Sequence, residues 1–107
     1  MKQKSTVSLL LAASMLFVFS GIVQAGDVAA GKEKNSMCIG CHGIEGYRTA
    51  FPEAYHVPKI GGQHAEYLIK ALQGYRDGTR SHPSMTALAK TLSDEDIKDL
   101  AAYYANN

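Results

Sequence analysis

The sequence predicts an all-α fold, because three segments carry apolar residues at helical spacing and none alternates as a strand would. The clearest of the three begins at Ser93, which can form a capping box with Asp96. An apolar stripe at positions i, i+3, i+4 and i+7 follows, made of Ile97, Leu100, Ala101 and Tyr104. A stripe of this kind must pack against another part of the protein.

The first predicted helix lies near residue 30. Asp27 can cap it, and we expect it to run to about Cys38 with lysines on its outer face. Gly31 falls inside this segment, where a glycine costs about 1 kcal/mol relative to alanine. A second helix that crosses closely at Gly31 would explain the residue.

Two irregular connections flank the remaining predicted helix, which runs from about Gln63 to Asp77 and ends at Gly78. The connection over residues 43–62 is rich in glycine, proline and aromatic residues. A loop of this length in so small a domain is usually functional, and we expect it to wrap a flat cofactor. The connection over residues 79–92 is interrupted at Pro83. The helix between them has an apolar face of Ala65, Leu68, Ile69, Leu72 and Tyr75.

Residues 1–25 have the pattern of a cleavable signal peptide. Lys2 and Lys4 give a positive start, residues 7–23 are nearly all apolar, and the small residues at Val23 and Ala25 suit signal peptidase. Cleavage would leave one domain, residues 26–107. The alternative is a retained anchor, since the apolar run approaches the roughly 20 residues that a bilayer requires.

Charge and composition exclude one class of function and suggest a cofactor. The chain has 11 Lys and Arg and 10 Asp and Glu, and cleavage of the leader would remove two lysines. The remaining charges alternate in sign, which is unlike the basic patches of nucleic-acid-binding proteins. Phe51 would be the one phenylalanine left, and the chain has no tryptophan. A domain of this size has a marginal apolar core, so a bound group would complete it.

The chemistry of the chain centres on the pentapeptide Cys38-Ile39-Gly40-Cys41-His42, which has the C-x-x-C-H attachment pattern of c-type haem. Two thiols at this spacing can reach the two vinyl groups of a haem, and the adjacent histidine can ligate the iron. The alternatives are a thioredoxin-like redox pair, a plain disulfide or half of a zinc site. None of these fits the sequence as well. A thioredoxin-like pair would need a βαβ pattern and a zinc site would need a second cysteine pair, and the sequence has neither. A plain disulfide would not need the adjacent histidine.

With a leader and this pentapeptide behind a first helix, the chain resembles class I cytochrome c, in particular the small bacterial monohaem type and one half of the dihaem bacterial cytochromes c. The resemblance covers residues 26–107 and implies three main helices wrapped around one covalently bound haem c. Residues 46–57 depart from the family pattern, being longer and more aromatic. The matching motifs, in family order, are residues 38–43, Pro58-Lys59-Ile60-Gly61-Gly62-Gln63, Tyr67-Leu68, Tyr75-Arg76-Asp77-Gly78-Thr79-Arg80, Met85 and residues 92–104.

The resemblance also implies the surroundings of the haem. Cys38 and Cys41 attach it, and His42 ligates the iron from one side. Met85 stands where the family carries its methionine ligand, and Met37, beside Cys38, is the other methionine outside the leader. The histidines that remain alternatives to Met85 are His56, His64 and His82, any of which would give a lower-potential centre.

Further residues are expected to support the haem. The resemblance implies that the Pro58 carbonyl accepts the free ring N–H of His42, and that Gly31 admits the ring of Tyr104 between the first and last helices. The residues expected to line the haem are Ile60, Leu68, Leu72, Leu88 and Leu100.

The resemblance implies an electron carrier rather than an enzyme: a periplasmic shuttle that passes one electron at a time between a donor reductase and an acceptor oxidase or reductase. We expect a monomer or weak oligomer that binds no nucleic acid and has no stable membrane insertion after leader cleavage. The alternatives are a haem subunit of a larger redox enzyme and a haem-based ligand-binding or sensing module. The lysines that could steer partners are Lys59, Lys70 and Lys90.

Overall fold

A computed structural model describes residues 25–50 and 54–107 of the chain. Nearly all of the predicted leader, residues 1–24, lies outside the described residues, as does Phe51. The elements in chain order are α1 (Val28–Lys34), α2 (Ser36–His42), α3 (Ala65–Asp77), α4 (Pro83–Ala89) and α5 (Asp94–Ala105). None of these helices is long and apolar enough to cross a membrane. The described part is thus helical, as predicted, with one isolated bridge between Arg48 and His56 in place of strands.

The predicted first helix is two short helices that meet at Asn35. Asp27 caps α1 as expected, with its Oδ1 accepting the N–H groups of Ala29 at 2.8 Å and Ala30 at 3.3 Å. Asn35 closes α1 by donating its backbone N–H to the Lys32 carbonyl, a tighter i to i−3 turn. The predicted end at Cys38 is wrong, because α2 continues to His42 and thereby contains the whole pentapeptide.

Gly31 lets α1 cross α5 at backbone contact. A Cβ at Gly31 would lie 2.1 Å from the carbonyl oxygen of Asp99 and 2.8 Å from the Cβ of Tyr103. The close crossing that the glycine predicted is therefore present. Its nearest neighbours are the α5 backbone and Tyr103 rather than the expected ring of Tyr104, because Tyr104 is one position further round α5.

An ion cluster joins α1 to α5. Lys34 Nζ lies 2.8 Å from Asp96 Oδ1 and 2.7 Å from Asp99 Oδ2, and Asp99 Oδ1 also accepts the backbone N–H of Asp27 at 2.7 Å. Asp99 is buried, with 4% of its surface exposed. The Lys34 hydrogen bond lowers the pKa of Asp96 to about 2 and, with the Asp27 N–H, lowers the pKa of Asp99. The bonds to Asp96 and Asp99 raise the pKa of Lys34.

Helix α4 was not predicted. Pro83 suggested an interruption, but proline suits the first helical position, where its missing N–H is not needed. Pro83 occupies that first turn, and His82 is the N-cap. The end of α3 was predicted correctly, since Gly78 adopts the left-handed conformation at φ 93°. The stretch from 79 to 92 is therefore partly helical, and α4 packs against α3.

The apolar core gathers around α5. The capping box predicted for Ser93 and Asp96 is present, and the helix it starts packs against both α1 and α3. Ile97 is fully buried and Leu100 is 2% exposed. The other buried apolar residues are Leu68, Ala89, Ala101 and Ala102. A core this small leaves a cavity between α2, α3, α4, α5 and the loop before α3.

Candidate cofactor site

The cavity has a volume of about 400 Å³ and a predominantly apolar lining. This volume is within the roughly 300–1,000 Å³ of small-molecule and cofactor sites. Every residue proposed from the sequence for the cofactor lines it: Cys38, Cys41, His42, Pro58, Ile60, Leu68, Leu72 and Met85, together with Leu88 and Leu100. The chain folds these residues, from four helices and a loop, around one space.

Helix α2 holds the two thiols. Cys38 and Cys41 are three residues apart on the helix, so their side chains lie on neighbouring positions of one face. Both are partly buried, and they are not joined by a disulfide. Burial raises the pKa of the Cys38 thiol. The helix therefore presents two thiols side by side to the cavity.

His42, the last residue of α2, is oriented by the loop. Its Nδ1 lies 2.6 Å from the carbonyl oxygen of Pro58, the contact that the resemblance implies. A carbonyl can only accept, so Nδ1 carries the proton and donates it. The neutral ring then keeps a lone pair on Nε2, which is the arrangement of a metal-ligating histidine. His42 lines the cavity with Nε2 available as a ligand.

Met85 reaches the same cavity from α4. It is partly buried, and its backbone N–H lies 3.3 Å from His82 Nδ1. The thioether is thus carried on a regular helix that begins two residues earlier, rather than on the irregular connection expected from the sequence.

The other histidines and methionine that could ligate the iron instead of Met85 lie in different surroundings. His82 accepts the Met85 N–H, and its ring lies 4.4 Å from that of Tyr55. His64 is exposed at the N-cap of α3 and is not among the described residues that line the cavity. His56 and Met37 do line the cavity, although both are exposed, Met37 to 49%.

Arg80 and Tyr55 line the cavity but were not singled out from the sequence as part of the site. The Arg80 guanidinium lies 4.9 Å from the ring centroid of Tyr75 and 5.9 Å from that of Tyr67. These contacts bring Arg80, which follows the end of α3, back onto two residues of that helix, and the helical pattern of the sequence does not reveal this fold-back. The aromatic content of residues 46–57 was the one available signal for Tyr55.

The residues present fit a haem c. Two adjacent thiols can form thioethers with two vinyl groups, imidazole and thioether groups such as those of His42 and Met85 can ligate haem iron, and the apolar walls suit a porphyrin. A zinc site is not supported in the same way: across residues 25–50 and 54–107 no three His, Cys, Asp or Glu side chains gather as metal ligands.

Comparison with known proteins agrees with this fit. The family model of cytochrome c matches residues 28–106. Cytochrome c-554(548) of Halomonas halodenitrificans is 46% identical over 85 residues, which are 77% of this chain and 98% of that protein. Cytochrome c4 of Pseudomonas aeruginosa is 40% identical over 104 residues, 96% of this chain and 48% of that protein.

A solved structure shares the fold. The cytochrome c4 of Acidithiobacillus ferrooxidans superposes with a TM-score of 0.61 at 29% identity, covering 82% of this chain and 53% of that one. The chain therefore spans about half the length of the cytochromes c4 and almost all of the Halomonas protein. From its match to the family model and its identity to these relatives, the chain belongs to the cytochrome c family, with the all-α fold of class I and one covalently bound haem c.

Proposed function

We propose that the protein is a periplasmic one-electron carrier whose haem is attached at Cys38 and Cys41 and whose iron is ligated by His42 and Met85. The observation that carries the proposal is that these four side chains line one apolar cavity. Its relatives are cytochromes c, which function in electron transfer.

A haem c held in this cavity supplies a one-electron couple between ferric and ferrous iron. His42 and Met85 would ligate the iron in both oxidation states, so little in the protein would have to rearrange on electron transfer. The apolar walls exclude water from the iron. Pro58 fixes the orientation of the His42 ring and increases its basicity as a ligand. The soft thioether of Met85 favours the ferrous state and raises the reduction potential.

The proposed role is that of a carrier rather than an enzyme, because ligation by both His42 and Met85 would leave no open position on the iron for a substrate. The partners are a donor reductase and an acceptor oxidase or reductase, bound through a small and weak interface that allows rapid release. Lys70 and Lys90 are exposed, and the exposed Lys59 has its Nζ 3.4 Å from Oε2 of Glu45, which is exposed as well. Such charges accelerate encounter with an acidic partner and lose their effect at high salt.

The periplasmic location rests on the leader pattern of residues 1–25. The intact mass of the protein purified from its own cells tests it. We expect the mass of residues 26–107 plus one haem. A mass that retains the leader would favour a membrane anchor.

The visible spectrum of the ferric protein tests the ligation. Methionine coordination gives a weak far-red band, which we expect in the wild type and not in Met85→Ala. Met37→Ala is the matched control, since Met37 also lines the cavity and its removal should leave the band unchanged. We also expect the native ferrous protein not to bind carbon monoxide. A wild type without the band, or with rapid carbon monoxide binding, would contradict the proposal and favour a bis-histidine centre or a sensing module.

A further inference from the structure

The N-cap of α4 is a histidine whose ring touches the backbone of the proposed iron ligand. His82 has extended backbone angles, φ −159° and ψ 132°, and its Nδ1 accepts the backbone N–H of Met85 at 3.3 Å. Its own backbone N–H donates to Thr86 Oγ1 at 3.1 Å, and its carbonyl accepts the Thr86 N–H at 2.8 Å. Three hydrogen bonds therefore fix the turn that carries Met85.

We propose that His82 is a positioning residue for Met85: its imidazole caps α4 at the Met85 N–H and so holds the thioether on the iron. This inference rests on the proposed ligation by Met85 and adds the residue that maintains it.

The cap is specific to His82 and is not a general property of histidine at this position. N-caps are usually Ser, Thr, Asp or Asn, whose short side chains bend back onto the helix. His64 occupies the same position on α3 and makes no side-chain bond to the helix. The difference is that the ring of His82 has a neighbour that holds it.

That neighbour is Tyr55. The two rings are 4.4 Å apart between centroids and tilted by 55°. Tyr55 is itself held to Thr49, with its backbone N–H 3.1 Å from Thr49 Oγ1 and its carbonyl 2.9 Å from the Thr49 N–H. The loop before α3 therefore orients His82, and His82 orients Met85. This gives Thr49 and Tyr55, two residues of the loop that the sequence marked as unusually aromatic, a role at the iron.

The same geometry makes His82 a poor iron ligand. A ring nitrogen that accepts a hydrogen bond carries no proton, so the proton of the neutral ring is on Nε2. Nδ1 is then occupied by the Met85 N–H and Nε2 has no free lone pair. His82 therefore supports methionine ligation in place of competing with it.

The test is the rate at which cyanide binds to the ferric holoprotein, since cyanide can bind only after Met85 leaves the iron. Loss of an N-cap weakens a helix start by about 1 kcal/mol, so we expect His82→Ala to increase the rate roughly five-fold. His82→Asn, whose side-chain carbonyl can accept the same N–H, should return the rate to within about two-fold of the wild type.

Two controls separate positioning from general stability. Ser93→Ala removes the N-cap of α5 and should lower the unfolding midpoint without changing the cyanide rate. His64→Ala replaces an N-cap histidine whose side chain makes no capping bond, so it should change neither the unfolding midpoint nor the cyanide rate. A purely structural role for His82 would make His82→Ala behave like Ser93→Ala.

The outcomes are distinguishable. If Met85→Ala loses the far-red band but His82→Ala binds cyanide at the wild-type rate, the positioning role is wrong and the ligation stands. An equal increase in the cyanide-binding rate in His82→Ala and His82→Asn would also overturn the positioning role, because asparagine can still cap the helix and loss of the cap would not be the cause. If the band survives in Met85→Ala, both the ligation and the positioning are wrong.

Discussion

The hydroxyl of Tyr104 in α5 donates a hydrogen bond to the side-chain carbonyl of Asn35, the residue at which α1 ends and α2 begins. Asn35 is 5% exposed, and the two residues are 69 positions apart. The bond fixes the junction from which the helix with both thiols departs. Burial raises the pKa of Tyr104, so the hydroxyl remains a donor well into the alkaline range.

Tyr104→Phe should destabilise the fold by about 1–3 kcal/mol, because it leaves a buried carbonyl without its donor. The measurement is chemical denaturation of the holoprotein followed by far-ultraviolet circular dichroism. Tyr103→Phe is the matched control, since the Tyr103 hydroxyl makes no hydrogen bond within the described part of the chain. Equal midpoints for the two variants would show that the Asn35 bond contributes nothing.

Asp99→Asn should lower stability at neutral pH by roughly 1–3 kcal/mol, because Asp99 accepts bonds from the Lys34 ammonium and the Asp27 N–H. Asp94→Asn, at a carboxylate whose side chain is 69% exposed and pairs with Arg76, is the control and should have little effect.

The same variant tests the pH dependence. The folded pKa of Asp99 is lowered, so its contribution is present above the unfolded value of about 3.9 and is lost as pH falls through the folded value. The stabilisation from Asp96, whose folded pKa is about 2, is likewise lost as the pH falls. The stability difference between wild type and Asp99→Asn should therefore shrink as the pH decreases from about 4 to 2. A difference that stays constant over this range would show that the charge of Asp99 is not involved.

Gly31→Ala should be among the most damaging single-methyl changes in the chain. The new Cβ would overlap the Asp99 carbonyl, so α1 and α5 must separate, and overpacking of this kind typically costs about 1–3 kcal/mol. Thermal unfolding of the holoprotein measures the loss. Lys32→Ala, at the exposed neighbouring position, should unfold near the wild-type temperature. A tolerated Gly31→Ala would mean that the crossing is looser than described.

Replacing both Cys38 and Cys41 with alanine should abolish covalent haem, and each single replacement should leave one thioether. Extraction with acidified organic solvent removes only non-covalent haem, so the haem retained with the protein and the intact mass together measure attachment. Ser36→Ala on the same helix is the control and should retain all of its haem. Covalent haem in the double variant would contradict the proposed attachment sites.

Local signals in the sequence predicted local structure well. Ser93 and Asp96 predicted the start of α5, and Gly78 predicted the end of α3, because each acts through neighbours only a few residues away. Gly31 predicted a close helix crossing, and the resemblance implied the last helix as its partner; the contact at Gly31 is made by Tyr103 rather than Tyr104, since this depends on how α5 is rotated. The motif at residues 38–42 predicted the cofactor, because the spacing of the two thiols and the adjacent histidine is what haem attachment and iron ligation require.

What the sequence could not predict depends on distant contacts. The break at Asn35 involves Tyr104, and the capping role of His82 involves Tyr55. Helix α4 was missed for a different reason: Pro83 can either interrupt a helix or begin one, and the local pattern does not distinguish these. Met85, which the resemblance gives as an iron ligand, lines the cavity, but the resemblance did not predict the helix that carries it.

The joining of α1 to α5 has a consequence for the order in which the protein is made. The bonds from Asp27 to Asp99 and from Tyr104 to Asn35 close loops of about seventy residues, whose ends meet only after the intervening chain is available. A nascent chain that ends before α5 therefore cannot hold α1 and α2 in place. We therefore expect the thiols of Cys38 and Cys41, the proposed attachment sites, to stay accessible until α5 has been made, so that haem attachment can precede folding.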